Sequence, residues 1–495
     1  MAKKQKTFKP KARVPRGFRD MAGPELVLQQ RIIATISHVY QSYGFDALDT
    51  SAFEYADALG KFLPDADRPN EGVFALEDDD KQWLSLRYDL TAPLARYVAE
   101  NYDGLPKPFR RFQWGPVWRN EKPGPGRYRQ FLQIDADTVG AGNMGADAEI
   151  CMMAADCMAA LGIGTGDYLV RINNRKIMDG LLQSIGLTKE QADYETRRLT
   201  ILRAMDKYDR LGLAGVRDLL GAGRRDESGD FTAGAGLDDA QIDAVAGLVS
   251  AQGASRPEML DALEAQIGDT ASGAGGIAEL REMDALFTRL GYGVERLCID
   301  PTIVRGLGYY TGPVYEIDLT FDTQDSDGTV TRFGSVGGGG RYDDLIKRFK
   351  GVETPATGIS IGVSRLAAAL ALLGQAEARA TQPLVVVLVM DKETRPELAA
   401  LVQGLRGAGL RAELYMGDSA MKAQLRYADA RNARFVVIEG EDERAKGVVT
   451  VKDLELGKQK SAEIEDNAEW RASTHAQFEV KKNELSDTIL RLLND

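Results

Sequence analysis

Apolar residues recur along Glu25–Tyr43 at Leu28, Ile32, Ile36, Val39 and Tyr43, a stripe that predicts an amphipathic helix ended by Gly44. From Trp83 to Asp137 the pattern changes to short runs bounded by turn residues. "WLSLRYDL", "RFQWGPVWR" and "YRQFLQIDADTVG" predict strands, the last two forming an antiparallel hairpin across a Gly/Pro loop. Residues 168–300 read as mostly helical, with "GAGRRDESGDFTAGAG" expected to be a mobile loop. Strand patterns return in "PVYEIDLTF" and "TVTRFGSV", joined around "DTQDSDG", and "GISIGVSRLAAAL" predicts a strand turning into a helix. After a linker, "GQAEARATQP", the run "LVVVLVM" suits a strand buried on both faces. The alternation that follows it predicts a small, separate α/β domain. No internal repeat interrupts this order.

Composition narrows the picture. A chain of 495 residues, 44% of them hydrophobic, has material for roughly two to four ordinary domains. The formal net charge of −12 gives the whole surface no attraction for nucleic acid, so such contact has to come from local basic patches. Cys151, Cys157 and Cys298 form no CxxC pair, and His38 and His475 stand far apart. That argues against a disulfide framework, a thiolate metal site and serine–histidine hydrolysis. A reducing compartment, the cytoplasm, is expected. No apolar run reaches the roughly 18 residues of a membrane span. The basic start "MAKKQKTFKPKAR" lacks the apolar core of a secretory signal. It reads either as a solvated tail or as an arm touching RNA phosphate.

The densest chemistry lies in "RNEKPGPGRYRQFLQIDAD", Arg119 to Asp137. Strand periodicity puts Arg129, Phe131, Gln133, Asp135 and Asp137 on one face, while Arg119 and Arg127 can grip a phosphate bidentately. Taken alone, this is either a ligand site or a solvated sheet face. "RGLGYYTG" places Arg305 beside Tyr309 and Tyr310, and the glycines of "GGGGRYDD" allow close backbone approach. Arg365 falls near a helix start, where an anion is favoured, or else caps and meets solvent. In "SLRYDLTAP", Asp89 and Thr91 stand where a strand gives way to a helix, suited to capping it or to holding an ammonium group.

Taken in order, "PRGFRD", "LRYDLTAP", "FRRFQWGPVWRNE" with "GRYRQFLQIDAD", "RGLGYYTG", "GGGGRYD" and "GISIGVSRL" resemble the histidyl-tRNA synthetases, class II aminoacyl-tRNA synthetases. The resemblance spans nearly the whole chain. It implies an α+β catalytic domain, an antiparallel sheet flanked by helices, with an inserted helical domain and a C-terminal α/β anticodon-binding domain, in a homodimer. The corresponding divisions are a tail over 1–13, catalytic segments over 14–167 and 301–374, a helical insertion over 168–300 and the anticodon-binding domain over 383–495.

The resemblance implies ATP-dependent activation of L-histidine and its transfer to tRNA(His), with Mg2+ on the ATP phosphates. Arg119 would hold the α-phosphate, Glu121 the adenine amino group, Phe131 the adenine ring, and Arg127 and Arg365 the outer phosphates. Asp89 and Thr91 would take the histidine ammonium, with Gln133 near its polar end. Asp137 and Tyr310 would read the imidazole, Tyr309 and Arg305 would also contact the histidine, and Arg305 would join Arg119 in catalysis. A carboxylate and a phenol can pair with both ring nitrogens, which an apolar isostere leaves unpaired.

Departures from the family pattern are visible. Gly308 and Ser364 stand where acidic residues are usual, and the proline of the first class motif is missing near "ALDTSAFE". Lys122, Pro123, Gly124 and Pro125 occupy the place of the "RPQ" with which many members check the extra 5′ guanosine of their tRNA. A different reading of the acceptor end is expected. Two other readings exist: a catalytically silent histidine sensor serving as a regulatory subunit of histidine biosynthesis, and another class II synthetase such as a threonyl or prolyl enzyme. The retained arginines and the extra C-terminal domain weigh against the first. "RGLGYYTG" weighs against the second.

Overall fold

The amphipathic stripe forms a helix over Pro24–Ser42, with a proline in its first turn. Leu28, Ile32, Ile36 and Tyr40 are buried along it, and Gly44, at φ +81°, turns the chain out of it. The computed structural model describes residues 10–59, 72–124, 128–225, 229–304, 310–324, 330–373, 383–463 and 476–494. All but the final proline of the expected linker "GQAEARATQP", the tip of "DTQDSDG" and most of the basic start lie outside these residues. The chain divides into two units, Met1–Glu377 and Ala378–Asp495.

The first unit is built on an eight-stranded sheet of β1 (Asp46–Ala47), β5 (Phe109–Trp118), β6 (Gln130–Val139), β7 (Tyr168–Asn174), β10 (Leu297–Ile299), β11 (Pro313–Gln324), β12 (Val330–Arg341) and β13 (Ala356–Gly362). Their spatial order is β1-β5-β6-β13-β12-β11-β7-β10. All neighbours are antiparallel except β1 with β5 and β10 with β7. Period-two alternation gives the central strands two unlike faces. Phe112, Ile134, Ala136, Ile359 and Ile361 enter the core that also holds the helices Pro24–Ser42 and Met144–Ala160. Arg111, Gln113, Gln133, Asp135 and Asp137 occupy the other face and are nonetheless buried.

Glycines let the strands approach. A Cβ on Gly339 would overlap the carbonyl of Gly358, and one on Gly358 would overlap the carboxylate of Asp137. A smaller sheet pairs β2 (Phe53–Tyr55), β4 (Trp83–Leu86) and β3 (Ala75–Glu77). Between β7 and β10 the described chain is mainly helical. The expected mobile loop there instead includes a two-stranded ladder, β8 (Gly223–Arg225) with β9 (Phe231–Ala233). Its tip, residues 226–228, lies outside the described residues.

The second unit carries β14 (Leu384–Val387), β15 (Arg411–Leu414), β16 (Ala433–Ile438), β17 (Val448–Asp453) and β18 (Gln477–Lys481), in the order β15-β14-β16-β17-β18. The first three run parallel and the last two antiparallel to their neighbours. All four residues of β14 are buried, as the uninterrupted apolar run predicts.

Candidate active site

The polar face of the central strands floors a cavity of about 600 Å3. Arg119, Phe131, Gln133, Asp137, Asp89, Thr91, Tyr310 and Arg365, drawn from four separate sequence motifs, all line it, with Gly338 and Tyr342 from a fifth. A slightly larger cavity, about 690 Å3, lies against the small sheet and includes none of them. Arg127, Arg305, Tyr309 and the Gly308 departure lie outside the described residues.

The β5–β6 hairpin supplies the floor, with Gln133, Asp135 and Asp137 opposite Gly115, Gln113 and Arg111. Arg111 is fully buried. Its Nη2 lies 2.8 Å from Asp137 Oδ2, an ion-pair contact rather than a well-aligned hydrogen bond, and donates to the carbonyl of Leu90 at 3.0 Å. The Tyr342 hydroxyl donates to the other oxygen of Asp137. Burial pushes the Asp137 carboxyl up, against the pull of Arg111 and Tyr342. Gln133 donates to Ser360 Oγ at 2.7 Å.

Asp89 stands both at a helix start and at the cavity wall. Its Oδ1 accepts from the backbone N–H of Thr91 at 3.1 Å and of Ala92 at 3.0 Å, capping the helix Thr91–Asn101, and the residue also lines the cavity. Burial raises its pKa, while the two backbone donors and the charge of Arg119 oppose the rise. The Arg119 guanidinium lies between two rings, 4.3 Å from the centroid of Tyr88 and 5.1 Å from that of Phe131. Its buried Nε has no hydrogen-bond partner among the described residues.

Arg365 is the third residue of the helix Val363–Leu372, and its Nη2 donates to the carbonyl of Phe333 at 2.9 Å. Beside it Ser364 Oγ accepts from the Leu132 backbone at 3.2 Å, so this departure ties the helix to β6. Glu121 does not line the cavity. It accepts from the hydroxyl of Tyr88, which does, at 3.1 Å. Arg129, expected on the same face as Phe131, is not among the lining residues; its Nε donates to the carbonyl of Glu121 at 3.0 Å and its guanidinium lies over Phe74.

Sequence reasoning gave no role to Tyr88, Arg111, Tyr342 or Ser360. Tyr88 had a signal, its place next to Asp89. The other three matter through partners distant in sequence.

The family model described as "Histidyl-tRNA synthetase" matches residues 17–366, and that described as "Anticodon binding domain" matches 384–491. The chain is 55% identical over 491 residues to "Histidine--tRNA ligase" of Brucella ovis, covering 99% of this chain and 97% of that one. It is 54% identical over 498 residues to the protein of the same name from Bartonella bacilliformis, covering 100% and 99%. Among solved structures, histidyl-tRNA synthetase from Nostoc sp. PCC 7120 superposes with a TM-score of 0.74 at 29% identity, covering 98% of this chain and 100% of that one. The chain belongs to the histidyl-tRNA synthetase family.

Proposed function

We propose that the protein activates L-histidine with ATP to histidyl-adenylate and transfers the histidyl group to tRNA(His). The observation that carries this reading is the meeting in one cavity of residues from five dispersed motifs, in a chain alike to histidine–tRNA ligases over nearly its full length. The sensor alternative is not favoured. The family model covers the catalytic unit, the anticodon-binding model covers residues 384–491, and the curated relatives are ligases.

In the first step a carboxylate oxygen of histidine bonds to the α-phosphorus and pyrophosphate leaves. No enzyme nucleophile is needed, so rate comes from positioning and from cations placed where charge develops. Arg119, braced by Tyr88 and Phe131, would hold the α-phosphate, with Arg305 on the reacting carboxylate. Phe131 would stack on adenine, Glu121 would accept from its amino group, and Arg127 and Arg365 would hold the outer phosphates. Asp89 and Thr91 would take the ammonium group, Gln133 the polar end of histidine, and Asp137 and Tyr310 the imidazole, with Tyr309 also contacting the histidine. In the second step the terminal ribose hydroxyl of the tRNA attacks the acyl carbon and AMP leaves.

Mg2+ would enter with ATP. Phosphate oxygens and water would supply most of its ligands.

The catalytic parts would be 14–167 and 301–374, with 168–300 inserted as a helical domain contacting the tRNA and 383–495 binding the anticodon. A homodimer is the assembly that suits the exposed Phe53, Tyr55 and Leu76 of the small sheet. No helix among the described residues is long and apolar enough to cross a membrane, which is compatible with work in the cytoplasm. ATP–pyrophosphate exchange with each amino acid in turn tests the activity. Exchange should require histidine, and Arg119→Ala should lower it by roughly a hundredfold or more. Histidine-independent or absent exchange in the wild type would overturn the reading.

A further inference from the structure

One carboxyl group on the cavity floor has no part in the roles above. Asp135 is 1% exposed, lies between Gln133 and Asp137 on the same face of β6, and lines the cavity. Among the described residues neither of its oxygens has a hydrogen-bond partner of ordinary geometry. The Ser360 hydroxyl is near enough to favour the charged form without closing a bond of ordinary geometry. Asp137 is differently placed, since Tyr342 and Arg111 already engage its two oxygens. A buried carboxyl without partners is costly to keep, and a ligand that donates to it removes that cost. The imidazole ring is such a ligand: it carries one N–H when neutral and two when protonated.

We propose that Asp135 is a specificity-determining residue that binds one ring nitrogen of the substrate histidine, a single proton being shared between its carboxyl group and the imidazole. This rests on the histidine-activation reading above. Asp137 then acts beside it, held in place by Arg111 and Tyr342. An amino acid of similar shape without a ring N–H leaves Asp135 as it is in the empty cavity and gains nothing from it.

The proton balance follows from the surroundings. Arg111 on β5 and Arg87 after β4 face Asp135 with positive charge, while Asp137 on β6 and Asp89 before the Thr91–Asn101 helix face it with negative charge. Tyr40 of the first helix stays neutral, its pKa raised by its own burial, and opposite on β13 stands only the hydroxyl of Ser360. Burial first, then Asp137, outweigh Arg111 and push the Asp135 carboxyl up to about 8. Between the ordinary imidazole value near 6.5 and about 8, a protonated Asp135 meets a neutral ring, and the pair keeps its one proton on binding. Above that window binding takes a proton up, and below it binding releases one.

The test is the histidine KM in ATP–pyrophosphate exchange, measured for wild type and Asp135→Asn from pH 6.5 to 9. Histidine-dependent exchange by the wild type is the control for the underlying activity, so its failure is distinct from failure of this inference. At pH 7.5 the variant should show a histidine KM raised by roughly tenfold to a hundredfold, with the KM for ATP close to wild type. The ratio of the two histidine KM values should narrow towards pH 9. The substrate α-ammonium titrates equally in both proteins and cancels from it. Asp135→Ser, which is smaller and also non-ionising, carries the same expectation should the asparagine variant be insoluble. An unchanged histidine KM, a parallel rise in the KM for ATP, or a ratio indifferent to pH would overturn the proposal.

Discussion

A single buried carboxyl should leave its mark on the stability of the whole fold. In the unfolded chain Asp135 titrates near 3.8, and in the folded protein near 8. Between those values the folded state holds a proton that the unfolded state has lost, so stability is fully present below the lower value and is lost as pH rises through the upper one. The slope is at most about 1.4 kcal/mol per pH unit. Asp135→Asn removes it. Urea unfolding at pH 5, 6.5 and 8 should therefore show the variant gaining on the wild type with each step, and parallel profiles would refute the assignment. A neighbouring test needs no titration. Gly358→Ala puts a methyl group into the carboxylate of Asp137, so it should raise the histidine KM more than the KM for ATP. An equal effect on both would mean that the strand, rather than the carboxylate, had moved.

At the scale of the element, the start of the Thr91–Asn101 helix separates a structural from a binding role. Asp89 both caps that helix and faces the cavity. Asparagine caps about as well as aspartate but carries no charge. Asp89→Asn should leave thermal stability near wild type while weakening histidine binding. Asp89→Ala should in addition cost about 0.5–2 kcal/mol of stability, measured by denaturant titration. Equal loss of stability in both variants would refute the division.

The β5–β6 hairpin was legible in the sequence because period two aligns its polar residues on one face and a Gly/Pro loop separates its arms. β14 was legible because an uninterrupted apolar run needs cover on both sides. Other features had no local signal. The partnership of Asp137 with Tyr342 spans 205 positions, and Tyr168–Asn174 joins the main sheet through pairing with Pro313–Gln324. Arg129 breaks the alternation because its guanidinium is drawn to the Glu121 carbonyl and the Phe74 ring, partners that no periodicity reveals.

At the scale of the whole molecule, two expectations concern what the chain meets. Phe53 and Tyr55 of β2 and Leu76 of β3 lie on one face of the small sheet, each more than 40% exposed. Such a face is suited to cover by a second copy. The wild type should scatter light with the mass of a dimer and Phe53→Asp with a mass shifted towards the monomer; a dimer unchanged by the substitution would exclude this face as the contact. The other partner is the tRNA. Where many members of the family place a glutamine to check an extra 5′ guanosine, this chain has Lys122, Pro123, Gly124 and Pro125. Proline offers no N–H donor and glycine no side chain, so neither can replace a side-chain amide that pairs with a base edge. Lys122 can contact phosphate, which carries no base identity. Transcripts of tRNA(His) with and without the extra guanosine should therefore be charged with efficiencies within about tenfold of each other, the difference made by roughly one hydrogen bond. A preference of a hundredfold or more, on the order of two such bonds, would mean that another part of the chain reads the guanosine.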